Sequence, residues 1–67
     1  MAKLHADAPK LKYRKQYKGE LDWFDVSYDD ALRTLLGTYL DNDLTREMLT
    51  VVGEIPCMFS VIEVSVA

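Results

Sequence analysis

Residues 26–40 read VSYDDALRTLLGTYL, and this stretch is the clearest secondary-structure signal in the chain. Its apolar side chains recur at helical intervals, the spacing of a stripe along one side of an α-helix. Ser27 is a favoured N-cap residue, and Asp29 and Asp30 follow in the first turn, where the helix dipole stabilises carboxylates. The pattern predicts an amphipathic helix over 26–40, in which Gly37 marks either a close contact or the fraying end. The predicted core stripe consists of Tyr28, Ala31, Leu32, Leu35, Leu36, Tyr39 and Leu40.

The segment before this helix predicts a β-hairpin. Residues 10–17 (KLKYRKQY) alternate apolar and polar side chains, as a half-buried strand does. Gly19 fits the left-handed position of a three-residue loop, after which a second strand runs over 20–24. In that register, opposite charges meet on one face and aromatic rings meet on the other. The predicted pairs are Gln16 with Glu20, Arg14 with Asp22 and Tyr13 with Trp23.

A second helix is expected after the central one. Apolar residues again recur with helical spacing, so we expect a helix over 43–52 that ends at Gly53. A strand over 48–52 is the alternative, because this stretch is rich in β-branched residues. The stripe of the second helix consists of Leu44, Met48, Val51, Val52 and Ile55.

Residues 57–66 (CMFSVIEVSV) predict a last strand whose first half is apolar on both faces. Because one layer of helices covers a single face, the other face needs the N-terminal tail or a second subunit. The chain is then one small α+β domain over 10–67, with the element order β-β-α-α-β. We expect a three-stranded, largely antiparallel sheet with the helical pair on one face, and a flexible polar tail over 1–9.

Composition limits the class of protein. The chain has 67 residues, of which 49% are apolar and one is Cys. One domain fits this length, and a lone Cys excludes an intramolecular disulfide and a multi-Cys zinc site. Residues 1–7 lack a signal-peptide core and no apolar run could span a membrane, so we expect a cytoplasmic protein without a membrane partner. A domain this small buries only about 60% of its unfolded surface, which favours self-association.

The sequence predicts a protein that is not an enzyme. His5, the single His, falls in the tail, and Cys57 has no basic neighbour in sequence that would ionise its thiol. Residues 41–43 (DND) begin like a calcium loop, but Arg46 and Val52 stand where that loop requires Gly and Glu. The glycines form no phosphate-binding motif. We therefore expect no catalytic residue, no metal, no cofactor and no small-molecule substrate.

Charge is distributed unevenly along the chain. Residues 1–18 carry six Lys or Arg against one Asp, whereas residues 19–67 carry two Arg against ten Asp or Glu. The cations of residues 10–18 alternate with tyrosines, a combination with which sheet surfaces bind single-stranded nucleic acid. The other interpretation is that this basic strand pairs with the acidic remainder inside the fold. The basic strand comprises Lys10, Lys12, Arg14, Lys15 and Lys18, and the acidic surface comprises Asp41, Asp43 and Glu47.

By elimination, the function must lie on the surface of the chain. We expect a non-catalytic protein–protein interaction module, acting as a regulator, inhibitor or accessory subunit and as a homo-oligomer. Its partners are then itself and another protein, with Phe59 and Val61 of the last strand as apolar contact residues. The acidic surface is a further candidate contact for a basic partner. Nucleic-acid binding through residues 10–18 is the alternative function.

Overall fold

The computed structural model describes residues 10–67, which form a four-stranded sheet and two helices. The strands are β1 (Leu11–Tyr17), β2 (Phe24–Val26), β3 (Gly53–Pro56) and β4 (Ser60–Val66), and the helices are α1 (Tyr28–Leu36) and α2 (Asp43–Met48). A small α+β fold with an antiparallel sheet and two helices is thereby confirmed. The predicted count of three strands is wrong, because β3 is a separate strand. The predicted tail, residues 1–9, and His5 lie outside the described residues.

Strands β1 and β4 form the centre of the sheet, whose order is β2-β1-β4-β3 with all neighbours antiparallel. They pair along their full lengths, from Leu11 opposite Val66 to Tyr17 opposite Ser60. The core between sheet and helices comprises Ala31, Leu35, Leu49, Ile55, Cys57, Ile62 and Val64. The face of the sheet turned away from this core is called the open face. It carries Lys12, Arg14, Gln16, Val61, Glu63 and Ser65 of the two central strands.

The turn after β1 forms where it was predicted, but the next strand starts later. Gly19 has a φ of +85°, and the Glu20 N–H donates a hydrogen bond to the Tyr17 carbonyl at 3.1 Å. Pairing with β1 nevertheless resumes only at Phe24, so the predicted strand over 20–24 is wrong. The chain therefore makes a wide loop between the two strands.

The register of the β1–β2 pair also differs from the predicted one. Arg14 lies opposite Asp25 and Tyr13 lies opposite Val26. A shift by an odd number of residues exchanges the two faces of a strand. Here it turns Val26 toward the core, where it packs against the buried cluster, in place of Trp23. Burial of the Val26 side chain against the core is thus favoured over the predicted pairing of the Tyr13 and Trp23 rings.

Helix α1 is the predicted amphipathic helix, and it ends early. Ser27 is its N-cap, and Ser27 Oγ accepts a hydrogen bond from the Asp30 N–H at 3.1 Å. Gly37 is the C-cap, so this glycine marks the end of the helix. Leu40 was predicted to belong to the core stripe, but it is 78% exposed. The reason is that the helical period no longer applies to side chains beyond Gly37.

Helix α2 is shorter than predicted and turns a different face to the core. It spans six residues, Asp43–Met48. Thr45 and Leu49 are buried, whereas Leu44 of the predicted stripe is 72% exposed. The Asn42 side chain accepts a hydrogen bond from the Thr45 N–H at 3.0 Å, which makes Asn42 the N-cap. This cap fixes where the helix begins and therefore which side chains face the sheet.

Residues 49–52 form a turn, so the predicted helix extends only to Met48 and the alternative strand over 48–52 is wrong. Gly53, with a φ of +148°, begins β3 instead of ending a helix. Pairing of β3 with the outer side of β4 satisfies backbone groups there and places Ile55 in the core.

The last strand is shorter than the predicted range of 57–66. It begins at Ser60, because residues 57–59 form the turn that joins β3 to β4. The Cys57 N–H donates a hydrogen bond to the Ser60 carbonyl at 2.8 Å and closes this turn. Ile62 and Val64 share the core-facing side, as their spacing predicted.

We expect Leu49→Ala to destabilise the protein far more than Leu44→Ala, because Leu49 is fully buried and Leu44 is 72% exposed. Truncation of a buried leucine costs about 2–5 kcal/mol, whereas a change at an exposed site costs about 0.5 kcal/mol or less. Urea unfolding of the two variants measures the difference. A larger loss for Leu44→Ala would support the stripe of the longer helix instead.

Candidate interaction site

The cations of the basic strand are divided between the two faces of the sheet. Lys12 and Arg14 lie on the open face, whereas Lys15 lies on the helix-covered face, opposite the buried Ile62. The other two cations flank β1, and they are Lys10 and Lys18. The structure therefore does not bring the five cations into one continuous surface.

A row of charged side chains crosses the open face. Asp25, Arg14, Glu63 and Glu54 occupy opposing positions on the four neighbouring strands. Arg14 Nη2 lies 2.6 Å from Glu63 Oε1, and the guanidinium lies 5.4 Å from the centre of the Trp23 ring. The charge of Arg14 is thus compensated inside the fold, by a carboxylate of β4 rather than by one of the hairpin.

A groove lies on the other side of the sheet, between α1, the end of β1 and the turn that joins β3 to β4. It consists of two adjoining open hollows of about 450 Å³ and 230 Å³, both lined by Lys15, Tyr17, Arg33 and Thr34. We call it the aromatic groove. Its cations are Lys15 and Arg33, and its apolar rim consists of Tyr17, Phe24, Met58 and Phe59.

Lys15 is held in place inside the aromatic groove. Its Nζ donates a hydrogen bond to Thr34 Oγ1 at 3.1 Å, and Thr34 Oγ1 donates in turn to the Asp30 carbonyl at 2.9 Å. The ammonium lies 4.8 Å from the centre of the Tyr17 ring, which packs at 5.6 Å against the Phe24 ring. None of the ion pairs among residues 10–67 includes Lys15. The groove therefore holds a positioned cation without a carboxylate partner in the described part of the chain.

The apolar rim combines side chains from three separate parts of the sequence. Tyr17 comes from β1, Phe24 from β2, and Met58 and Phe59 from the turn before β4; all four are exposed. The Lys18 N–H donates a hydrogen bond to the Phe59 carbonyl at 3.0 Å, which holds the turn with Met58 and Phe59 beside the end of β1. Two local signals predicted parts of this site: the cation–tyrosine alternation of residues 10–18, and the apolar start of the last strand with Phe59. Phe24 and Met58 gave none, because only the sheet brings them near β1.

The two predicted apolar contact residues occupy different surfaces. Phe59 lies in the turn before β4 and is 73% exposed at the rim of the aromatic groove. Val61 lies half-buried on the open face, opposite Gln16. They separate because the strand begins at Ser60, so Phe59 does not follow its alternation.

Cys57 lines the floor of the smaller hollow and is only 4% exposed. Burial raises the pKa of its thiol, and the nearby positive charges of Lys15 and Lys18 act against that rise. Nucleophilic chemistry requires the thiolate. A buried thiol with a raised pKa instead packs as a small apolar group.

The predicted acidic surface lies at the C-terminal end of α1, around the start of α2. Asp41, Asp43 and Glu47 are all exposed there. Asp41 Oδ1 pairs with Arg46 Nη2 at 2.5 Å, whereas none of the ion pairs among residues 10–67 includes Asp43 or Glu47. This surface therefore presents carboxylates that are available to a partner.

Comparison of the chain with protein-family models, with curated proteins and with solved structures found no match. Within residues 10–67, no group of His, Cys, Asp or Glu side chains is arranged to hold a metal ion. Neither of the two described helices is long and apolar enough to cross a membrane. A function must therefore be inferred from the aromatic groove and the open face themselves.

We expect the Cys57 thiol to make stability depend on pH. Because its pKa is raised above the ordinary value of 9.0, the unfolded chain loses this proton at a lower pH than the folded chain does. The resulting stabilisation is present below that value and is lost as the pH rises, by at most about 1.4 kcal/mol per pH unit. Urea unfolding of the protein and of Cys57→Ala, measured from below pH 9.0 to above it, isolates the contribution of the thiol to the free energy of unfolding. A difference between the two proteins that does not change with pH contradicts the raised pKa.

Proposed function

We propose that this chain is a non-catalytic protein–protein interaction module, acting as a regulator, inhibitor or accessory subunit, and that it works as a homo-oligomer. One observation supports this most directly: four large apolar side chains from three parts of the chain rim a single concave surface. Exposed apolar residues scattered singly are ordinary, whereas a contiguous apolar patch is typical of an interaction site. Aromatic residues around a depression are also the residues that dominate binding energy at interfaces.

The chemistry of the groove favours binding over catalysis. Lys15 and Thr34 hold one another by a hydrogen bond, and burial raises the pKa of the Cys57 thiol above its ordinary value. Asp30, the carboxylate that lines the larger hollow, lies 3.8 Å from Arg33. These groups present charge and apolar area to a ligand, which is what a protein interface requires.

The homo-oligomeric part of the proposal has a separate basis. Helices cover one face of the sheet, and the open face carries the half-buried Trp23 and Val61. A chain of 67 residues without a disulfide gains much from burying further surface in a second copy.

Nucleic-acid binding through residues 10–18 remains the alternative, and one observation favours it. Arg14 and Trp23 lie together on the open face beside Lys12, which combines cations with an aromatic ring. The carboxylates of Asp25 and Glu63 on the same row act against it, because they repel phosphates at short range.

We expect Phe59→Ser to weaken binding of a partner protein by at least about tenfold, or about 1.4 kcal/mol, because it removes an aromatic contact from the groove rim. Leu21→Ser is the matched control: Leu21 is 91% exposed in the loop before β2 and does not line the groove. Proteins captured on the immobilised chain are purified and titrated with each variant. A partner that binds Phe59→Ser as tightly as the unchanged chain argues against the groove as the contact surface.

We expect a solution mass above the 7.7 kDa of one chain, measured by light scattering on a sizing column. The Tm of the same samples should rise with protein concentration, because association stabilises the folded state by mass action. A monomer whose Tm is independent of concentration contradicts the homo-oligomer and leaves the interaction with another protein to be tested by Phe59→Ser.

A further inference from the structure

The aromatic groove contains a cation, Lys15, that forms no ion pair within residues 10–67. The Asp30 carboxylate in the same groove pairs with Arg33 instead. Lys15 occupies a core-facing position of β1, opposite the fully buried Ile62. The side chain is half-buried, and its ammonium is held at the edge of the groove by neighbouring groups. Thr34 supplies one hydrogen bond and Tyr17 supplies an aromatic face, yet an ammonium has three donors. The groove therefore suits a ligand with an anionic group between apolar ones.

That complementary chemistry occurs elsewhere in this chain. Residues 40–44 read LDNDL and join α1 to the first turn of α2. Leu40 and Leu44 are 78% and 72% exposed, so two large apolar side chains flank the segment. Asp43 lies between them, outside the ion pairs of the described residues. A carboxylate can pair with the cation of the groove, and the exposed leucines on either side of it can pack against the apolar rim.

The groove and this segment are close neighbours on the molecule. Gly37 and Thr38 line the smaller hollow, and the chain reaches Leu40 two residues later. Thr38 Oγ1 accepts a hydrogen bond from the N–H of Met58, a rim residue, at 2.8 Å. A two-fold axis beside this end of α1 would place each segment near the groove of the other copy. Such a contact is self-complementary and closes at two copies.

We propose that the aromatic groove of one copy receives residues 40–44 of a second copy in a symmetric dimer. The Asp43 carboxylate accepts a hydrogen bond from the Lys15 ammonium, and Leu40 and Leu44 pack against the apolar rim. This inference rests on the proposed function, because it names the partner of the same groove. It assigns self-association to the groove rather than to the open face, where the charge of Arg14 is already paired.

A charge exchange tests this contact. Lys15→Glu and Asp43→Lys should each weaken dimerisation by at least about tenfold, or about 1.4 kcal/mol, since each brings like charges together. The double variant carries both changes and should recover the dimer, because opposite charges meet again. Light scattering across a dilution series measures the dissociation constant of each protein. Recovery in the double variant is the decisive result, because loss of folding in a single variant cannot produce it.

One control variant and one replacement variant keep the test specific. Lys12→Glu makes the same charge change on the same strand, but on the open face. It should leave the dissociation constant within about threefold of the unchanged chain, as expected for an exposed charge. If circular dichroism shows that Lys15→Glu is unfolded, Arg33→Glu replaces it, because the Arg33 side chain lines the groove and is 81% exposed.

Several results overturn the inference. A dimer that persists in Lys15→Glu but dissociates in Val61→Lys places the interface on the open face, and the homo-oligomeric part of the proposed function then survives. If both single variants dimerise more weakly and the double variant does not recover the dimer, Lys15 and Asp43 do not meet. Oligo-dT that binds the chain and is released by Lys15→Glu identifies single-stranded nucleic acid as the occupant. A monomeric unchanged chain removes both the inference and the homo-oligomer, while partner binding through Phe59 stands or fails separately.

Discussion

The antiparallel pairing of β1 with β4 is the interaction on which the rest of the structure depends. It runs over all seven residues of both strands and joins the beginning of the described chain to its end. Its register is set by burial: Ile62 and Val64 are inside, and a slip by one residue would turn Glu63 toward the core instead. Every other element is then placed against this pair, with β2 and β3 at the edges and the helices on one face.

The same register creates the groove. With Ile62 inside, the residue opposite it on β1 must also face the helices, and that residue is Lys15. The aliphatic part of a lysine can lie along apolar surface while its ammonium reaches a more polar boundary. Here that boundary contains the Thr34 hydroxyl and the Tyr17 ring. A requirement of core packing therefore leaves a positioned cation on the molecular surface.

The two faces of the sheet differ in what they offer a partner. On the open face, Arg14 is satisfied by Glu63 and Trp23, so its charge contributes to the fold. In the aromatic groove, Phe59 is exposed, and Lys15 takes part in none of the ion pairs among residues 10–67. Binding of a partner at the aromatic groove would therefore be more favourable than binding at the open face, since it would neutralise a charge and bury apolar area together.

The sequence by itself determined the features that depend on near neighbours. The N-cap at Ser27, the apolar side of α1, the turn at Gly19 and the core-facing side of β4 all follow from residues a few positions apart. Only the tertiary structure decided that β3 is a separate strand, where β2 starts and which face α2 buries. It also decided that Phe24 and Phe59 line parts of one groove. The spacing of residues along the chain does not show which distant strand will form hydrogen bonds with an unpaired strand edge. Nor does it show which distant side chains will cover an apolar residue. That choice is made when β1 pairs with β4 and the core forms between the sheet and the helices.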